Sequence, residues 1–411
     1  MTATPDAPKP WSDRPAAIAL AGLLALAVAM GVGRFAFTPL LPMMLHDGVL
    51  TLAAGSWLAT ANYIGYLVGA LACMALPWVT PGLYALWHPA RLARAGLVAT
   101  VLLTVAMALP LPATWPLLRF AAGVASAFVL LNVSAWCMVR LAVLGRPAMG
   151  GLIFCGPGVG IALTGLAASA MVAAQWRAAS GWLVFGLLSV LLCALVWPVV
   201  RGRAARAGAP HPAAAAHAQG GGTALARGVH ALAYGLAGLG YIVTATFLPV
   251  IARGALPAGS PWPDLFWPMF GAGVAVGAAL STRAPMTWDR RWLLVAAYAM
   301  QALGIAVGLW WPTPAGFAAS SVLLGLPFTA ITFYGLQEAR RLWPASGDSF
   351  ASLITAVYGL GQIMGPPMVA WLLARGTQAQ GFAQALALAA AALVAGGVMY
   401  AASAWRWPPR R

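Results

Sequence analysis

The feature that most constrains this chain is a recurrence: twelve apolar runs, most close to 20 residues long, parted by short segments rich in proline, glycine and arginine. A run of that length is what an α-helix needs to cross about 30 Å of hydrocarbon at 1.5 Å per residue. In lipid a helix satisfies its own backbone without water. Composition agrees, because 62% of the 411 residues are hydrophobic and 7% charged, too little polar surface for a soluble fold of this size. The expected architecture is an all-α integral membrane protein. Its spans fall near 16–43, 52–76, 92–110, 114–139, 148–172, 180–200, 228–251, 264–283, 291–311, 314–338, 349–374 and 380–403. The first run is too long for a signal peptide and has no cleavage site, so it is expected to stay as span 1.

A net charge of +16 suggests nucleic acid at first sight, yet no soluble domain carries a basic face, and no nucleic-acid partner is expected. The cations instead follow the loops. With the N-terminus inside, eighteen of the 23 Lys and Arg fall on inner segments and three, Arg177, Arg253 and Arg375, on outer ones. That positive-inside bias predicts cytoplasmic N- and C-termini in a multi-pass protein of the cytoplasmic (inner) membrane. The four cysteines, Cys73, Cys137, Cys155 and Cys193, have neither disulfide nor zinc spacing and read as packing residues. No metal or cofactor is expected.

Residues 201–226 are rich in Ala, Gly and His, basic and free of acids, and read as a flexible cytoplasmic linker between an N-terminal six-helix half, 1–200, and a C-terminal one, 227–411. An internal duplication supports that division. Gly33…Pro42 recurs as Gly240…Pro249 at an offset of 207, and Gly156-Pro157 as Gly365-Pro366 at 209. Two features at nearly one offset describe a parallel six-plus-six repeat.

These residues carry a resemblance. Gly156-Pro157-Gly158-Val159-Gly160, Arg119-Phe-Ala-Ala-Gly123 and the six-plus-six layout resemble the major facilitator superfamily. Gly31-Val-Gly-Arg34-Phe-Ala-Phe-Thr-Pro39-Leu-Leu-Pro42 and Tyr234-Gly-Leu-Ala-Gly-Leu-Gly-Tyr241-Ile-Val-Thr-Ala-Thr-Phe-Leu-Pro249 are similar to its YbfB/YjiJ-type members. The resemblance implies alternating access around a path lined by spans 1, 2, 4, 5, 7, 8, 10 and 11, and it gives Arg119 a role in the cavity or in proton coupling. Where the superfamily carries an acid between spans 2 and 3, this chain runs from Gly69 to Pro77 without one. Gly277, Arg283, Asp289, Arg290 and Arg291 keep a partial version after span 8, so gating charges are expected in the second half.

An ionisable side chain in hydrocarbon costs about 2.5–3.5 kcal/mol on insertion scales and needs a reason to be there. Arg34 lies past the middle of span 1, near Pro39 and Pro42, and is placed either to pair with an anionic solute or to snorkel. Arg119, a few residues into span 4, has the same alternatives. No acid falls in the middle of any span. Exporters of cationic drugs commonly use one, so an anionic or neutral-polar cargo is favoured. The deepest acid, Glu338, is expected to pair with Arg341 three residues on as a salt-bridged helix end, with a gating or proton role as the alternative. Asn62, Tyr63, Tyr66, Asn132, Tyr241, Thr244, Tyr334, Gln337, Tyr358 and Gln362 complete a candidate cavity. Gly65/Gly69, Gly156/Gly160, Gly273/Gly277, Gly304/Gly308 and Gly361/Gly365 allow close helix approach, and Pro157 and Pro366 add bendable points. Tryptophans near span ends, among them Trp57, Trp115, Trp262, Trp267, Trp310 and Trp311, read as interface anchors.

The leading expectation is a monomeric secondary transporter of a small organic solute, with an anionic or carboxylate compound favoured and protons as coupling ion. A multidrug-type efflux antiporter for hydrophobic compounds and a non-transporting sensor stand as alternatives. A membrane enzyme would need clustered acids or metal ligands, which the sequence lacks, and without a GxxxxGK[ST] loop the energy must come from a gradient.

Overall fold

In the computed structural model the described residues are 10–79, 88–200, 223–285, 287–343 and 347–407. Most of the 201–226 linker lies outside them, as do Lys9, Arg410 and Arg411. Twelve helices long and apolar enough to cross a membrane are found among the described residues: span 1 Pro15–His46, span 2 Leu52–Leu76, span 3 Pro89–Ala106, span 4 Pro112–Val143, span 5 Pro147–Ala173, span 6 Ala178–Val196, span 7 Ala224–Ala255, span 8 Pro263–Ser281, span 9 Arg290–Trp310, span 10 Pro314–Leu342, span 11 Phe350–Leu373 and span 12 Gln378–Arg406. Span 7 begins at Ala224, capped by Thr223, inside what composition assigns to the linker, because the Thr223 hydroxyl accepts from the Ala226 amide and starts the helix there.

The starts follow from local chemistry. Proline, whose missing N–H would be unbonded anyway, opens the helices at Pro15, Pro89, Pro263 and Pro314. Asp289 and Thr377 cap spans 9 and 12 through their side chains.

The elements pack as two bundles of six, spans 1–6 and 7–12. Spans 1 and 7 are the most enclosed, at 78% and 83% of their central windows, and they touch across the middle of the molecule. There the Thr38 hydroxyl donates to the Ala245 carbonyl at 2.7 Å, two residues 207 positions apart. That is the offset linking Gly33…Pro42 to Gly240…Pro249, so equivalent positions of the repeat meet at the pseudo-symmetry axis.

The second pair of repeated features is not equivalent in space. Gly156 abuts the Leu23 carbonyl and Leu26, whereas Gly365 abuts Ile242, the counterpart of Phe35 at offset 207. Their depths differ by about three helical turns. Pro157 stands inside span 5, where its 3-10 part gives way to α-helix, and Pro366 lies inside the helix of span 11. The likeness of the two Gly-Pro pairs in sequence is coincidental.

Candidate functional site

Span 1 is a broken helix. Its first α-helical part ends at Leu26, a π-helical segment covers Ala27–Val32, turns follow at 33–36, and α-helix resumes over Phe37–His46. Side chains from spans 2 and 4 hold the break. Arg119 donates to the carbonyls of Gly33 (3.3 Å) and Arg34 (2.9 Å), Asn62 to those of Gly33 (3.4 Å) and Arg119 (2.8 Å), and Ser126 to that of Ala29 (2.7 Å). Arg119 is buried and does not snorkel. Span 5 seals the other side, where Gly31 and Gly160 meet backbone to backbone.

The break presents Arg34 to the interior, 4% exposed. Its guanidinium lies 4.0 Å from the ring centre of Tyr66 and 5.3 Å from those of Tyr63 and Phe35, within cation–π range. One terminal nitrogen donates to Gln362 of span 11, and Nε is buried with no partner. None of the ion pairs among the described residues includes Arg34. Tyr63 bonds Thr246 of span 7 at 2.9 Å. Tyr241 stacks on Tyr358 at 5.8 Å and meets Phe328 edge-on at 4.9 Å. Arg34, Tyr63, Tyr66, Tyr241, Tyr358 and Gln362 thus form one centre shared by both bundles.

Sequence reading missed two of its members. Trp267 is fully buried, stacked on Phe270 at 5.1 Å and 6.2 Å from Phe35. It is not an interface anchor, because span 8 turns that face toward span 1. Phe328 joins the centre where span 10 is interrupted at 326–327. Trp115 is also buried, its indole nitrogen bonded to the Leu109 carbonyl, while Trp57, Trp262, Trp310 and Trp311 are exposed as anchors should be.

Other candidates lie elsewhere. Asn132 donates to Phe128 of its own helix and reaches Cys73 of span 2. Tyr334 donates to the Ser281 carbonyl and stands beside Arg290. Thr244 is buried beside the centre with an unpartnered hydroxyl, and Gln337 keeps an unpartnered carbonyl oxygen.

Glu338 pairs with Arg341 at 2.6 Å. It also lies 3.8 Å from Arg291, which holds Asp289 at 2.7 Å and donates to the carbonyls of Ser403 and Trp407. This cluster ties spans 9, 10 and 12 at the face that carries the chain ends. Burial, the largest influence on Asp289, would raise its pKa, but the bonds and charge of Arg291 together hold it below the usual carboxylate value. At the same face of the first bundle, Arg140 pairs with Asp13 at 2.6 Å.

At the opposite face a cavity of about 810 Å³ opens over the His46 end of span 1, lined by Pro42, Met43, Trp115, Arg177, Trp182 and Arg253 among others. Asp47 at its edge caps span 6 by accepting from the Ala178 amide at 2.7 Å.

Twelve spans in two six-helix repeats, meeting at a broken helix around a buried polar centre, define a membrane transporter of the major facilitator class. Residues 26–401 match the family profile described as "Uncharacterised MFS-type transporter YbfB", and the chain belongs to that family. No curated protein sequence matches it. Among solved structures, the chain is similar to a point mutant of the nucleoside transporter NupG, at 14% identity and TM-score 0.71, over 94% of this chain and 99% of that one. It is similar too to a D-xylose-proton symporter, at 13% identity and TM-score 0.69, over 96% of this chain and 98% of that one. At these identities the likeness is one of fold.

Proposed function

We propose that the chain is a secondary active transporter of the cytoplasmic membrane that moves a small organic anion by alternating access, with protons as coupling ion and both chain ends in the cytoplasm. The observation that carries this reading is Arg34. It is a buried guanidinium with a free Nε, an aromatic surround and no carboxylate partner among the described residues, while Glu338 is already occupied by arginines. A buried charge without a counter-charge is costly, and a carboxylate arriving between Arg34 and Gln362 would relieve that cost through charge-assisted hydrogen bonds. The rings of Tyr63, Tyr66, Tyr241 and Tyr358 suit a solute with a flat or apolar body. Like NupG and the xylose symporter in fold, the chain would rock its bundles about this centre.

The test is uptake into proteoliposomes under an imposed pH gradient, with hippurate and other small carboxylates against tetraphenylphosphonium as a lipophilic cation. Carboxylate uptake that falls at least tenfold in Arg34→Gln and only partly recovers in Arg34→Lys is expected, since lysine lacks the planar fork. The same aromatic lining favours the rival reading, efflux of hydrophobic compounds. Movement of the cation, undiminished in Arg34→Gln, would establish that reading in place of ours.

A further inference from the structure

Proton coupling requires a group inside the membrane that charges and discharges during the cycle. Among the described residues the spans offer few. Asp264 is tied to Arg253, and Glu338 to Arg341 with Arg291 beside it. One side chain whose ordinary titration falls near neutral pH is left buried within a span: His230, under two turns into span 7 and 2% exposed.

Its surroundings fix its state. Nε2 lies 3.1 Å from the Gly335 carbonyl of span 10, and a carbonyl only accepts, so Nε2 carries the hydrogen. Nδ1 lies 3.0 Å from the Tyr400 hydroxyl of span 12, so in the neutral ring Nδ1 accepts and Tyr400 donates. Tyr234 of its own helix stacks at 6.1 Å, Phe350 of span 11 packs at 5.8 Å, and Tyr298 of span 9 meets Tyr400 edge-on at 5.4 Å. The charged groups facing it come from span 10, where Arg341 acts on the ring and Glu338 on Tyr400. Toward the centre, Tyr234 packs at 4.9 Å on Tyr358, which stacks on Tyr241 beside Arg34. One line of rings therefore joins His230 to the anion centre.

We propose that His230 is the residue that carries the transported proton. The proton arrives from water, bonds to Nδ1 and makes an imidazolium; it leaves from Nδ1 on the other side, restoring the neutral ring. Charging inverts the Tyr400 bond, since the hydroxyl must then accept and turn its own hydrogen away. It also sets a new cation beside Arg341, whose charge already acts on the ring, and repulsion between the two strains the pairing of Arg341 with Glu338. The cluster joining spans 9, 10 and 12 loosens, and that face can part. This assignment rests on the transport reading above.

The test is histidine-selective nitrogen NMR of the full chain in lipid vesicles from pH 8 to 3.5. Val229–His230 is the one Val-His pair in the sequence, so pairwise labelling assigns residue 230 without a variant, and His230→Gln confirms the ring signals. The expected result is an Nε2-protonated neutral ring at the top of the range and an imidazolium at the bottom, with the midpoint moved in Tyr400→Phe. A ring that stays neutral throughout overturns the proposal. In proteoliposomes His230→Gln should keep solute exchange and lose accumulation driven by the pH gradient; retained accumulation also overturns it. The two readings fail separately. A chain that moves none of the probes defeats the solute reading, whereas a silent ring leaves solute exchange intact.

Discussion

Arg34 and Arg119, two buried arginines of the first bundle, show how one residue type divides into two roles. Both are nearly inaccessible, yet Arg119 spends its terminal nitrogens on backbone carbonyls and Arg34 does not. Arg119 is thus a clasp on the broken helix. Arg119→Leu should lower the apparent melting temperature in detergent, corresponding to about 2–4 kcal/mol for the lost charged hydrogen bonds, and should weaken carboxylate uptake only in proportion. Unchanged thermal stability with abolished uptake would show that Arg119 touches the solute instead. Sequence made both arginines visible, since a charge in a hydrocarbon span stands out. It did not separate them, because the distinction lies in a break in span 1 that no residue type announces. Gln362 likewise stood out as polar, but its pairing with Arg34 spans 328 positions and rests on the packing of spans 1 and 11.

At the scale of elements, helix extents were legible to within about four residues, because length and hydropathy are set by the bilayer and loops by charge. The π segment was not legible, nor was the interruption of span 10. Each depends on what packs alongside. Span 5 makes the point through its glycines: Gly156 and Gly160 face span 1, while Gly158 faces span 8, where an added methyl would overlap the backbone of Gly271 and Ala275. Gly158→Ala should therefore wedge the two bundles apart, at about 1–3 kcal/mol of overpacking, and reduce transport severalfold. Gly150→Ala, whose methyl would meet Met138 at an ordinary 3.6 Å, should leave it near the wild-type level. Equal rates in the two variants would mean that the span 5 to span 8 seam does not move during the cycle.

For the whole molecule, the charge distribution predicts orientation. A reporter fused to the C-terminus should be active only in the cytoplasm, and one inserted after Gln175, at the face of Arg177 and Arg253, only outside. The reverse pattern would invert the orientation assigned to the two faces. Duplication was also legible in outline, through Gly33…Pro42 and Gly240…Pro249, and the Thr38 to Ala245 contact gives it a place in space. At the same offset of 207, Arg34 and Tyr241 are one position in two copies. One copy became a charge on a broken helix, the other a ring on a continuous one. An ancestor with identical halves would have held its cargo equally well either way round. On the proposed reading, divergence at this position gives the present site a head and a tail, so an elongated solute would have one preferred orientation in it.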